Sequence, residues 1–227
     1  MAKTIIVGGF GPGISNAVAE KFGAEGFSVA LVARNAERVA VGAKALAEKG
    51  IRAEAFPADL SKPEDIRATV KKIQASLGPV NVLHWNAYGS GAGDLTSAPV
   101  DELKAVFDVS FVGLITAVQA VLPDLRAEKG AVLVTNGGLG FFDPNVDAMG
   151  VQWNAMGLSV ANSAKHKAVG LLHLKLKPEG IYVGEVTVTG IVKGTAWDQG
   201  NGTIDPAGVA AKFWENYQRR EQTYATI

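Results

Sequence analysis

The stretch Ile5-Ile6-Val7-Gly8-Gly9-Phe10-Gly11-Pro12-Gly13-Ile14-Ser15 decides the fold, because an apolar strand runs straight into a glycine-rich turn and the turn opens a helix. Glycines there let the backbone come close to a phosphate. The free N–H groups of the first helical turn then face the anion, with the positive end of the helix dipole behind them. A dinucleotide pyrophosphate is therefore expected at the end of the first strand.

Outward from that turn the chain alternates. Ile14, Val18 and Phe22 recur at helical spacing up to a C-cap at Gly26, and Ser28 to Val32 reads as a buried strand. Ala36 to Lys49 is expected to be helical, Ile51 to Phe56 a third strand, and Ser61-Lys62-Pro63-Glu64 has the spacing of a capping box for the next helix. Gly78-Pro79 stops that helix before the strand Val80 to Trp85. The second half predicts a helix from about Val100 to Leu125, a strand Ala131 to Thr135 and a long helix around Trp153 to Leu176. A strand Ile181 to Val188, a helix opened by Asp205-Pro206 and a short terminal strand Tyr224 to Ile227 complete the reading. Strands alternating with helices make a parallel sheet covered on both faces. No linker or low-complexity tract interrupts the pattern, so residues 1–227 are expected to form one doubly wound α/β domain.

Composition narrows the partners. Lys plus Arg balance Asp plus Glu at 22 each, so no global field draws the chain to nucleic acid or to an anionic membrane. The absence of cysteine removes disulfides, thiolate metal sites and a cysteine nucleophile together, and fits a cytoplasmic protein. The three histidines lack ligand spacing, so no metal site is expected. Neither an apolar signal region after Met1-Ala2-Lys3 nor an apolar stretch of the roughly 20 residues that span a bilayer is apparent, which reads as a soluble chain.

Gly9-x-x-x-Gly13-x-Ser15 resembles the glycine motif of the short-chain dehydrogenase/reductase family, with Ser15 in the place of the last glycine. The resemblance continues in order along the chain, through Asp59-Leu60 after the third strand, Trp85-Asn86-Ala87-Tyr88 at the end of the fourth, Lys177 to Val183, and Thr189-Gly190. It implies a Rossmann fold with strand order 3-2-1-4-5-6-7, a nicotinamide cofactor and a small-molecule substrate. It also implies a homodimer or homotetramer built on the helices near Val100–Leu125 and Trp153–Leu176. By the same resemblance, Gly9, Phe10, Gly13, Ile14, Asp59, Leu60, Asn86, Ala87, Lys165 and Thr195 would bind the cofactor. Charge selects among cofactors: the second strand ends Val32-Ala33-Arg34-Asn35 with no carboxylate, and Arg34 can grip a 2′-phosphate, so NADP(H) is preferred over NAD(H).

The family's chemistry rests on an Asn, a Ser, a Tyr and a Lys, and here these places fall on other residues. The Asn position falls on Ser110 and the catalytic serine on Gly137, with Asn136 just before it. The Tyr-x-x-x-Lys motif has two registers: either Lys165 is kept and Ala161 replaces the tyrosine, or Asn162 and His166 take the two places. The first keeps an ammonium where the cofactor ribose needs a donor. No tyrosine lies between Tyr88 and Tyr182, so a slip in alignment cannot restore one. Loss of a positioned general acid is typically worth about 10²–10⁴ in rate. Tyr88 is the candidate substitute, at the carboxyl end of the central strand, although an aromatic there also packs over a cofactor. His166, between Lys165 and Lys167, reads as part of a solvated helix face, and His84 as a hydrogen-bonded core residue. The lid after the sixth strand, Gly194 to Ile204, is short enough to cover little. The resulting expectation is an NADP(H)-dependent oxidoreductase with an atypical proton donor. The alternative is a non-catalytic NADP(H)-binding protein, a redox sensor or a silent subunit.

Overall fold

A computed structural model describes residues 2–227. Its seven strands are β1 (Thr4–Gly8), β2 (Ser28–Ala33), β3 (Ala53–Pro57), β4 (Val80–Trp85), β5 (Ala131–Gly137), β6 (Tyr182–Val188) and β7 (Tyr224–Thr226). All pair in parallel, in the order β3-β2-β1-β4-β5-β6-β7. The order reverses between β1 and β4, and their diverging connections leave a crevice at the carboxyl ends of the strands, where ligands of such sheets bind.

Period-two alternation divides the core. Ile5 and Val7 of β1 face one layer with Phe22, Leu31 and Phe213, under α1 (Ile14–Ala24), α2 (Ala36–Glu48) and α8 (Pro206–Arg219). Ile6 faces the other with Ile73, Leu83, Trp85 and Val121, under α3 (Pro63–Leu77), α5 (Gly113–Glu128) and α7 (Met156–Leu176). Burying each large apolar side chain is worth about 1.5–3 kcal/mol, so slipping a central strand by one residue would lose several such terms at once.

Several boundaries differ from the sequence reading. The helix expected over Val100–Leu125 is two helices, α4 (Val100–Phe107) and α5, joined by a π turn at Asp108–Val112. The joined run Val100–Glu128 is 29 residues with a mean hydropathy of 2.0 in its most apolar window, long and apolar enough by those measures to cross a membrane. This corrects the expectation that no stretch would qualify. Leu114, Ala117, Val121 and Leu125 of that run pack into the core against the sheet. The helix expected from Trp153 begins at Met156, and a separate helix α6 (Pro144–Gln152) precedes it. Apolar periodicity missed α6 because Gly150 is its one buried residue, yet Asp143 caps it by accepting from the Asn145 and Val146 amides. β3 starts at Ala53 rather than Ile51. The capping box is not formed: the Ser61 hydroxyl donates to Asp59 instead, and Lys62 takes the cap position without a side-chain bond. At α8 the capping expectation holds, with Asp205 accepting from the Ala207 amide at 2.9 Å and Pro206 in the first turn.

Candidate active site

The glycine turn lies at the crevice as the sequence predicted. Gly9 has φ +82° and Gly13 φ +89°, a region costly for residues with a Cβ. A Cβ on Gly9 would stand 2.5 Å from the Ala87 nitrogen, so glycine there lets the turn close against the end of β4. The Asn86 amide donates to the Gly8 carbonyl at 2.8 Å and locks the two strand ends together.

The backbone donors of the turn divide into spent and free. The Gly9 and Phe10 N–H groups bond the Val32 carbonyl, and the Gly11 N–H bonds the buried Ser15 hydroxyl at 2.9 Å. Ser15 thus braces the turn from the place of the last motif glycine. Helix α1 has no side-chain cap, which leaves the N–H groups of its first turn open toward the crevice. The Phe10 ring is buried against Gly42 and Leu31 of the core.

Arg34 directly follows β2 and is exposed, and its charge helps to hold Asp59. Burial pushes the Asp59 carboxyl up, but the Ser61 amide and hydroxyl together with Arg34 and Lys62 outweigh it and hold the group below the usual carboxylate range. Asn35 caps α2 by accepting from the Arg38 amide at 2.8 Å. The Arg38 guanidinium then lies by Gly11, 3.9 Å from where a Cβ there would stand. Arg38 was missed in the sequence, although its place one helical turn beyond Arg34 was the available signal. Leu60 is buried in the core beneath Trp85, and its carbonyl abuts Gly113 at the start of α5.

The segment after β6 reaches further than its length suggested. Asp198 accepts from the Gly194, Gly200 and Gly202 amides, and Val192 bridges to Ile204, so the loop is braced by its own bonds. It touches the crevice at two points. The Thr195 methyl comes against Gly13, within 2.7 Å of a Cβ placed there, while its hydroxyl donates to the Val192 carbonyl. The Trp197 indole N–H donates to the Tyr88 hydroxyl oxygen at 2.9 Å. Tyr88 and Trp197 stay 44% and 47% exposed, so this pair rims the crevice and does not fill the core.

Lys165 is 2% exposed on α7, and its Nζ donates to the Thr135 carbonyl at 3.3 Å. Burial pushes its pKa down to about 8, against the attraction of the buried Glu185 carboxylate. One turn before it, Ala161 packs with Ala92 and Val106. The segment after β4 occupies that space: the Met156 and Gly157 amides at the start of α7 donate to the Gly93 and Ala92 carbonyls. Ser110, inside the π turn, accepts from the Gly89 amide at 3.0 Å and fixes the same segment. π turns interrupt helices most often at functional sites.

His166 does not sit on a solvated face. Its Nδ1 meets the fully buried Glu185 at 2.8 Å, and its ring lies 4.3 Å from Tyr224, because β6 presents a carboxylate under this part of α7. Asn136 and Thr187 also donate to Glu185. Periodicity could not expose this cluster, since Glu185 lies within an otherwise apolar strand. His84 is a core residue as expected, with Nε2 on the Thr135 hydroxyl at 3.0 Å, and burial lowers its pKa to about 3.

A doubly wound parallel sheet with a glycine turn and an open helix N-terminus at the β1/β4 crevice defines a dinucleotide-binding α/β protein. Residues 3–199 match the short chain dehydrogenase family, and the chain belongs to it. An oxidoreductase of Staphylococcus aureus (strain MW2) is 25% identical over 185 residues, 82% of this chain and 76% of that one. The fold is also that of an actinorhodin polyketide ketoreductase solved with NADPH, at TM-score 0.86 and 20% identity over 100% of this chain and 95% of the other. L-sorbose reductase from Gluconobacter frateurii, solved with NADPH and L-sorbose, is similar at TM-score 0.86 and 19% identity, over 100% and 95% of the two chains.

Proposed function

We propose that the chain is an NADP(H)-dependent oxidoreductase that moves a hydride between the nicotinamide and a small-molecule carbonyl or alcohol. The uncapped N-terminus of α1 at the glycine turn carries the proposal, since its free N–H groups and the closely approached Gly9 make a cradle for a pyrophosphate. Solved relatives with NADP or NADPH bound support the cofactor. When bound, NADP(H) supplies the hydride.

The remaining roles fall to this chain's own groups. Arg34, with Arg38 one turn on, is positioned at the end of β2 for a 2′-phosphate. Asp59 and Leu60 border the adenine side, and Asn86 and Ala87 form the wall beside Gly9. Lys165 offers ammonium hydrogens to the ribose hydroxyls. Tyr88 donates the proton to the substrate oxygen: the Trp197 N–H occupies a lone pair of its oxygen and leaves the phenol hydrogen free. The segment at Ala92 fills the space beside Ala161, so proton delivery by the family's usual residue has no counterpart here.

The test is calorimetry of NADPH and NADH binding. NADPH is expected to bind at least about tenfold more tightly, as a charge-assisted bond to the 2′-phosphate would require, and Arg34→Ala to narrow the gap chiefly by weakening NADPH. Equal affinities for the two cofactors in the unmodified protein would refute Arg34 as the selector. NADPH binding without turnover of any carbonyl would favour a non-catalytic role as a redox sensor or silent subunit.

A further inference from the structure

The end of β5 holds a polar group that none of these roles uses. Asn162 is 3% exposed, and among the described residues no hydrogen bond reaches its side chain. Its amide nitrogen lies 2.9 Å from where a Cβ on Gly137 would stand. Gly137 is thus bare at the carboxyl end of a central strand, and the Asn162 amide occupies the place that a side chain from the strand would fill.

The surroundings fix the backbone from which that amide projects. Asn136 donates through Nδ2 both to the Asn162 carbonyl, at 3.0 Å, and to Glu185, at 3.1 Å, while its Oδ1 accepts from the Gly137 N–H at 3.1 Å. One side chain therefore fixes the helix backbone at Asn162, the strand end at Gly137 and the buried carboxylate together. Gly140 lies so close over Asn162 that a Cβ there would come within 2.8 Å of its carbonyl carbon. An amide with no protein partner beside the bare end of a central strand keeps both its donors available to a ligand.

We infer that the Asn162 side-chain amide is the hydrogen-bond donor that orients the substrate's carbonyl oxygen, supplied from α7 across the bare Gly137. This rests on the proposed carbonyl chemistry. It also accounts for glycine at 137, where any side chain would displace the donor.

The experiment uses the full chain labelled with ¹⁵N, with the Asn162 side-chain amide pair assigned by its loss in Asn162→Ala. NADP⁺ is added first, followed by 2-butanone as a small carbonyl probe that the oxidised cofactor cannot reduce. NADP⁺ should shift the backbone amides of the glycine turn, and the probe should then shift the Asn162 pair. Unmoved glycine-turn amides would refute the cofactor reading and this inference with it. Shifted turn amides with an Asn162 pair indifferent to the probe would overturn this inference alone. Asn162→Ala should weaken the probe roughly 3- to 10-fold, the usual worth of one neutral hydrogen bond, while leaving NADP⁺ affinity unchanged. Gly137→Ser should also weaken it, and Gly137→Ser combined with Asn162→Ala should recover it, because the serine hydroxyl then enters the vacated space. A double variant as weak as the worse single one would also overturn the exchange of donors.

Discussion

Replacing Lys165 with Met keeps an unbranched side chain in place and removes a buried ammonium, and its effect on stability should depend strongly on pH. Burial lowers the pKa of this lysine from 10.5 to about 8 in the folded protein, despite the opposing attraction of Glu185. Below pH 8 the group is charged both folded and unfolded, and the folded state bears the full cost of burying the charge. Between pH 8 and 10.5 the folded state releases its proton while the unfolded state keeps it, so the unfolded state binds more protons and stability rises with pH. The shift corresponds to about 3 kcal/mol in all, of which about 2 kcal/mol should appear between pH 7 and 9.5. The assay is urea unfolding of both proteins at matched pH values. The difference is the quantity of interest, because other groups titrate in both. Wild type should gain on Lys165→Met by that amount as pH rises. Parallel curves across the range would mean that burial leaves the Lys165 pKa at its ordinary value and would refute this reasoning.

Three further outcomes are expected. Tyr88→Phe keeps the ring and removes the hydroxyl, so steady-state turnover of a carbonyl substrate should fall by about 10²–10⁴, the usual worth of a general acid, with NADPH affinity little changed; unchanged turnover would assign Tyr88 to packing. Gly9→Ala combines a positive φ with a collision against the Ala87 backbone, and calorimetric unfolding should show a loss of about 2–4 kcal/mol. Light scattering at micromolar concentration should report a dimer or tetramer, with Val160, Leu171 and Leu174 of α7 exposed on the single chain and available for pairing; a monomer would refute it.

The amino-acid order by itself determined the alternation of a parallel α/β sheet and the place of the glycine turn, while the strand order came with the family resemblance. The first two follow from signals that are local: apolar runs such as Val80–Trp85, caps such as Asp205-Pro206, and a turn whose backbone demands glycine. Lys165 became a candidate through the family resemblance, and Arg34 through its place after a strand. Groups meeting across distant segments had no such signal. Glu185 under His166, Trp197 on Tyr88, Thr195 on Gly13 and Ala92 against Ala161 each join residues that nothing in their immediate neighbours pairs. The same holds for Asn162 beside Gly137, whose glycine read in sequence as a missing hydroxyl. Only the packing of α7 on β5 places an amide in that gap, because which polar groups meet at a crevice is set by the approach of whole elements, and that approach is fixed by the core beneath them.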